Sequence, residues 1–131
     1  MTGGCLCGAV RYEARAEPVF VCLCHCSSCR RATGGSVVPW ATYRTSDVSF
    51  APGALELRSS SAGVTRGHCS RCGTSISYVH ERRPAEIDLT VESMDDPMRF
   101  KPQAHIWVED KLPWMVIGDG LPQYQKALSD A

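Results

Sequence analysis

Cys22-Leu23-Cys24-His25-Cys26-Ser27-Ser28-Cys29 packs four thiols and an imidazole into eight residues, and the rest of the chain is organised around it. Cys24, Cys26 and Cys29 form a C-x-C-x-x-C run. In an extended segment alternate side chains share a face, so Cys24 and Cys26 point the same way, with Cβ atoms roughly 6–7 Å apart. A turn after Cys26 brings Cys29 back toward them. Three converging thiolates describe a metal site with one open position, the usual arrangement of a catalytic zinc. Four describe a closed, structural one.

Cys22 leaves that choice open. It shares parity with Cys24 and Cys26, but a straight strand spreads the three over roughly 13 Å. Zinc–sulfur bonds of about 2.3 Å require all donors within about 4 Å of one another. Pinching C-x-C together takes a bulge; pinching C-x-C-x-C is harder. Cys22 is either a fourth ligand or a buried thiol acting as a small hydrophobe, and the spacing favours the second. His25 has opposite parity and reads as a surface histidine, or one that supports a ligand, rather than as a ligand itself. Arg30-Arg31 follows at once. Such a pair is usually a solvated face, but beside an open metal it could hold a carboxylate.

The other clustered thiols lie outward from this stretch. Cys5-Leu6-Cys7-Gly8 and Cys69-Ser70-Arg71-Cys72-Gly73 together supply four donors, and a glycine follows each pair. A glycine lets the backbone bend tightly around a metal. A site made of Cys5, Cys7, Cys69 and Cys72 is closed and therefore structural. It staples the N-terminus to the middle of the chain and contributes folding energy directly.

Eight cysteines in 131 residues, with no apolar leader after Met1, predict a chain kept in a reducing, cytoplasmic compartment. There clustered cysteines are metal ligands rather than disulfides. Lysine plus arginine number 14, as do aspartate plus glutamate, for zero formal net charge. That balance offers no footprint for nucleic acid; the local patch to set against this is Arg30, Arg31 and Arg44. No apolar run reaches the ~20 residues of a membrane helix. We expect one domain over residues 1–131, as a monomer or homodimer.

The remaining chain reads as short strands between Gly and Pro: 9–13, 19–24, 36–43, 48–51, 55–59, 74–79, 86–92 and 105–108, with 65–68 leading into the second cysteine pair. Pro39 confines its strand to an edge or a bulge. Ser27 to Thr33 reads as a turn or short helix ended by Gly34-Gly35, residues 59–63 as a polar loop, and 123–129 as a helical turn or two. The predicted class is mainly β: several short coiled antiparallel sheets built around zinc–cysteine sites. His68, His80 and His105 read as structural, and Trp40, Trp107 and Trp114 as core or pocket wall.

C-x-C-G near the N-terminus, C-H-C-x-x-C-R-R some twenty residues later and H-C-x-x-C-G in the middle resemble the glutathione-dependent formaldehyde-activating enzyme family, which includes the centromere protein V domain. Met94 to Pro97, His105-Ile106, Pro113-Trp114 and Asp119 to Pro122 resemble its tail. The resemblance implies coiled β-sheets with a rubredoxin-like zinc element. It implies two zinc ions, a structural one on Cys5, Cys7, Cys69 and Cys72 and a catalytic one on Cys24, Cys26 and Cys29. It also implies an activity that joins glutathione to formaldehyde as S-hydroxymethylglutathione, a carbon–sulfur lyase reaction written in reverse. Cys22 is not part of that pattern. The donor set suits the chemistry, because three thiolates make zinc a weak activator of water but leave an added thiolate nucleophilic. Arg30 and Arg31 are the nearest candidates for the tripeptide's carboxylates. The alternatives are a non-catalytic double-zinc scaffold, a glutathione-binding or interaction module, or a thiol redox protein.

Overall fold

The computed structural model describes residues 1–128. Within them run β1 (Thr2–Gly4), β2 (Arg11–Ala14), β3 (Phe20–Cys24), α1 (Ser27–Thr33) and β4 (Val38–Arg44). There follow β5 (Val48–Phe50), β6 (Leu55–Ser61), β7 (Val64–Cys69), β8 (Ser75–His80), β9 (Glu86–Thr90) and β10 (Ala104–Ile106). They form a three-stranded sheet in the order β1-β2-β5 and a seven-stranded sheet in the order β10-β3-β4-β9-β8-β7-β6. The chain is mainly β, as its short alternating runs predict.

The central strands of the large sheet are buried on both faces, whereas its edge strand β6 is largely exposed. Val21, Ala41, Tyr43, Ile87 and Leu89 pack with Tyr12 and Ala14 of the small sheet and with Val10 just before it. Strand alternation sends Cys22, Cys24, Val38 and Trp40 to the opposite face, where they gather with Cys29. Leu89 and Ile76 are completely buried. Each such aliphatic side chain contributes about 1.5–3 kcal/mol by leaving water. Tyr78, two residues beyond Ile76 on β8, packs against the cysteine-bearing cluster, while Ile76 joins the main core.

Several expectations are corrected. β10 pairs with β3 in parallel, not antiparallel. The chain reaches this edge after a long excursion past Gln103, whose Oε1 accepts from Val21 N–H and whose N–H donates to Val21 O. Pro39 lies in an interior strand rather than an edge strand. It faces Leu23 on β3, but pairing with β9 begins only at Trp40, so the missing N–H breaks no bond on that side. β6 runs on to Ser61, and the turn is tightened at Gly63, with φ of 75°. β1 was not foreseen; its Thr-Gly-Gly carries no apolar alternation. Residues 123–126 run alongside β10 without forming a helix: Gln123 bridges His105 in parallel, Tyr124 N–H donates to His105 O, and Trp107 N–H donates to Lys126 O. Ser129, the end of that predicted segment, lies outside the described residues.

Candidate metal centres

Cys5 and Cys7 flank the turn after β1, and Cys69 and Cys72 flank the turn between β7 and β8. Their four sulfurs lie within 4.8 Å of one another. The Cys5–Cys7 and Cys7–Cys69 separations are 3.6 and 3.8 Å. A tetrahedral zinc with bonds of about 2.3 Å spaces its sulfurs by about 3.8 Å. A disulfide needs about 2.05 Å, and all eight cysteines are free. Backbone N–H groups point at these sulfurs: Val10 at Cys5 (3.1 Å), and Arg71 and Cys72 at Cys69 (both 3.4 Å). The Thr74 hydroxyl and N–H groups bring Cys72 down to about 5. The donor set therefore fits a thiolate-bound zinc. Cys5 and Cys69 are buried in the core, whereas Cys7 and Cys72 are exposed.

The second centre is made where β3 hands over to α1. Cys24 ends the strand; Cys26 is the extended N-cap of the helix, and its sulfur accepts from Cys29 N–H at 3.3 Å. One helical turn then carries Cys29 back, and Gly34 closes the helix in the left-handed region with φ of 81°. The sulfurs of Cys24, Cys26 and Cys29 lie within 4.8 Å of one another, and Cys22 is not in the group. It is buried, and burial pushes its thiol up to about 12. Hydrogen bonds from Cys24 and Cys26, followed by the guanidinium of Arg66, favour the thiolate of Cys29. The same thiol contacts hold Cys24 protonated. Three sulfurs sharing their protons in this way fit a metal that replaces those protons.

The surroundings hold residues that spacing did not reveal. Arg66 of β7 donates from Nη2 to Cys29 Sγ at 3.5 Å. Its guanidinium lies 4.9 Å above the ring of Tyr78, which is tilted against Trp40 at 6.0 Å. Trp107 packs on the same cluster and, among the described residues, is the one non-glycine with positive φ, 55°. Alternation across the β7–β8 hairpin pairs Arg66 with Tyr78, but no local pattern says that Cys29 comes to meet them.

His25 is wholly buried, not a surface residue. Asp119 Oδ2 accepts from His105 Nε2–H at 2.7 Å, so His105 Nδ1 is left to accept from His25 Nε2–H at 2.8 Å. Burial, then the neighbouring His105, pushes His25 down to about 4. This chain ties the segment around residue 119 to the loop that carries Cys24 and Cys26. Arg30 spends Nη1 on the carbonyls of His25 and Asp110 and thereby braces α1 against the later chain. Arg31 is exposed. A cleft of about 660 Å³, lined by Arg11, Thr33, Cys72 and Asp95 among others, does not include the three-sulfur centre.

Together these features define a small β protein with one four-sulfur and one three-sulfur centre. The model of the glutathione-dependent formaldehyde-activating enzyme family matches residues 1–110, and the chain belongs to that family. Membership implies an enzyme that acts on formaldehyde and glutathione. The tail motifs around Trp114 and Asp119 fall beyond the matched residues. A crystal structure of a Rhodobacter sphaeroides protein is similar, with 25% identity and a TM-score of 0.60 over 95% of this chain and 99% of that one. No curated protein matches. Among the described residues, no helix is long and apolar enough to cross a membrane.

Proposed function

We propose that this chain is a zinc-dependent carbon–sulfur lyase that forms or cleaves the bond between glutathione sulfur and the carbon of formaldehyde or a similar small aldehyde. The observation that carries this reading is the three-sulfur group of Cys24, Cys26 and Cys29, from which Cys22 is excluded. In this reading Cys5, Cys7, Cys69 and Cys72 hold a structural zinc and the three others a catalytic one. A zinc bound by three thiolates supplies a fourth position at which a thiol loses its proton and its sulfur stays nucleophilic.

The chain's own groups do the rest. Three sulfur donors, rather than three imidazoles, keep negative charge on the site and suit it to sulfur chemistry. Trp40, Tyr78 and Trp107 supply an apolar wall beside the centre that limits water. Arg31, and the N–H groups of Arg30 not already engaged, are available for the carboxylates of the tripeptide.

Cobalt in place of zinc makes the test optical. Glutathione should alter the sulfur-to-metal charge-transfer band, and the change should vanish in Cys29→Ser. S-methylglutathione, whose sulfur cannot become a thiolate, should bind far more weakly. Equal competition by the two compounds would refute sulfur coordination and with it the lyase assignment.

A further inference from the structure

Arg66 is held in place without a carboxylate. It forms no ion pair among the described residues. Its guanidinium is fixed by the Tyr78 ring beneath it, 4.9 Å from the centroid, and by the Nη2 donor bond to Cys29 Sγ at 3.5 Å. Nη1 is buried and has no hydrogen-bond partner among the described residues. A buried charged donor left unpaired is costly. Next to a reactive centre, a ligand is the natural source of the missing acceptor.

We propose that Arg66 Nη1 receives the oxygen of the aldehyde and stabilises the negative charge that develops on it, which makes Arg66 a catalytic residue. The proposal rests on the thiol-and-aldehyde function given above. In the step, the electron pair of the glutathione thiolate forms the sulfur–carbon bond, and the carbonyl π pair moves onto oxygen. That oxygen then takes one proton from solvent, which balances the proton the thiol released on binding. Cleavage is the reverse. A donor fixed where negative charge appears is an oxyanion-hole arrangement.

The position of Arg66 separates this role from recognition of a carboxylate. Nη2 already touches Cys29 sulfur, and Nη1 belongs to the same rigid planar guanidinium, so an acceptor taken by Nη1 lies close to the three-sulfur centre. The aldehyde oxygen is two bonds from that sulfur in the adduct, whereas the carboxylates of the tripeptide are many bonds away.

Arg66→Gln and Arg66→Lys in the metal-replete chain test the proposal. For Arg66→Gln, kcat should fall about 100-fold, the glutathione titration midpoint at the cobalt centre should move less than about threefold, and Arg66→Lys should recover about tenfold of the loss. The resting cobalt charge-transfer band of Arg66→Gln should also shift to lower energy, because Cys29 sulfur loses an N–H donor. An unchanged kcat, or an unmoved band, overturns the proposal. So does a loss of glutathione affinity as large as the loss of kcat, since Arg66 would then bind the thiol substrate. If wild-type cobalt protein ignores glutathione altogether, the proposed function fails and takes this role with it. Melting curves and metal content show whether Arg66→Gln folds; if it does not, Arg66→Lys carries the kinetic test, with the affinity retained and kcat reduced.

Discussion

Cys22 and Cys24 stand two residues apart on one face of β3, yet only Cys24 reaches the sulfur cluster. The strand stays straight through Cys22, which pairs with Trp40 on one side and Ala104 on the other. Both neighbours hold its backbone, so no bulge can swing the side chain toward Cys29. Cys22→Ser should therefore leave the metal content unchanged while burying a hydroxyl in an apolar cluster, at about 1–3 kcal/mol. Zinc analysis with a thermal melt checks both parts; a lost zinc would make Cys22 a ligand. His25 shows the same dependence on surroundings. Its parity turns it away from the sulfurs, and the partner on that side is His105.

At the scale of elements, the small sheet is tied to the turn at residues 93–96 through one carboxylate. Asp95 accepts from Arg11 Nη1 on β2 at 3.0 Å and from the Thr2 hydroxyl on β1 at 2.6 Å, while its N–H donates to Thr2 O. Those hydrogen bonds, Arg11 first and then Thr2, hold its pKa at about 2 against an ordinary 3.8. The group is more acidic folded than unfolded, so its stabilisation is full above about pH 4 and fades as the pH falls toward 2. Urea melts of wild type and Asp95→Asn across that window should differ most near neutrality and converge at the acid end. Parallel curves over the whole range would show that Asp95 does not drive the acid limb. Both partners are about half exposed, so salt should shrink the difference.

Over the whole molecule, the four-sulfur centre joins points 62 residues apart, whereas the three-sulfur centre is local to six residues. Closing the long loop removes far more freedom from the unfolded chain. Cys69→Ser or Cys72→Ser should lower the melting temperature sharply. Cys26→Ser or Cys29→Ser should leave most of the fold intact and lose only the second metal. The reverse order in calorimetry would exchange the two roles. A metal-replete preparation should hold two zinc ions per chain by elemental analysis, the weaker one held by Cys24, Cys26 and Cys29. A consistent value of one or less, with no loss during purification, would remove the second centre.

Short-range chemistry was legible in the sequence. C-x-C and C-x-x-C spacings narrow which thiols can converge, because a few bonds of backbone leave little choice of geometry; Cys22, at the same spacing from Cys24, is kept out by its paired strand. The same holds for α1, whose N-cap thiol and C-terminal glycine lie within one short segment, and for the strand expected over residues 86–92, whose Ile87, Leu89 and Val91 all reach the main core. The tertiary structure alone decided what depends on sheet order. The parallel seat of β10 on β3 follows from where a long connection returns, and Pro39 is tolerated because β9 stops one residue short of it. Arg66 meets Cys29 because α1 lies over the face that β7 and β8 share with β3 and β4. No local spacing encodes that approach, since the two residues are 37 positions apart and three strands, β4, β9 and β8, separate β3 from β7 in the sheet.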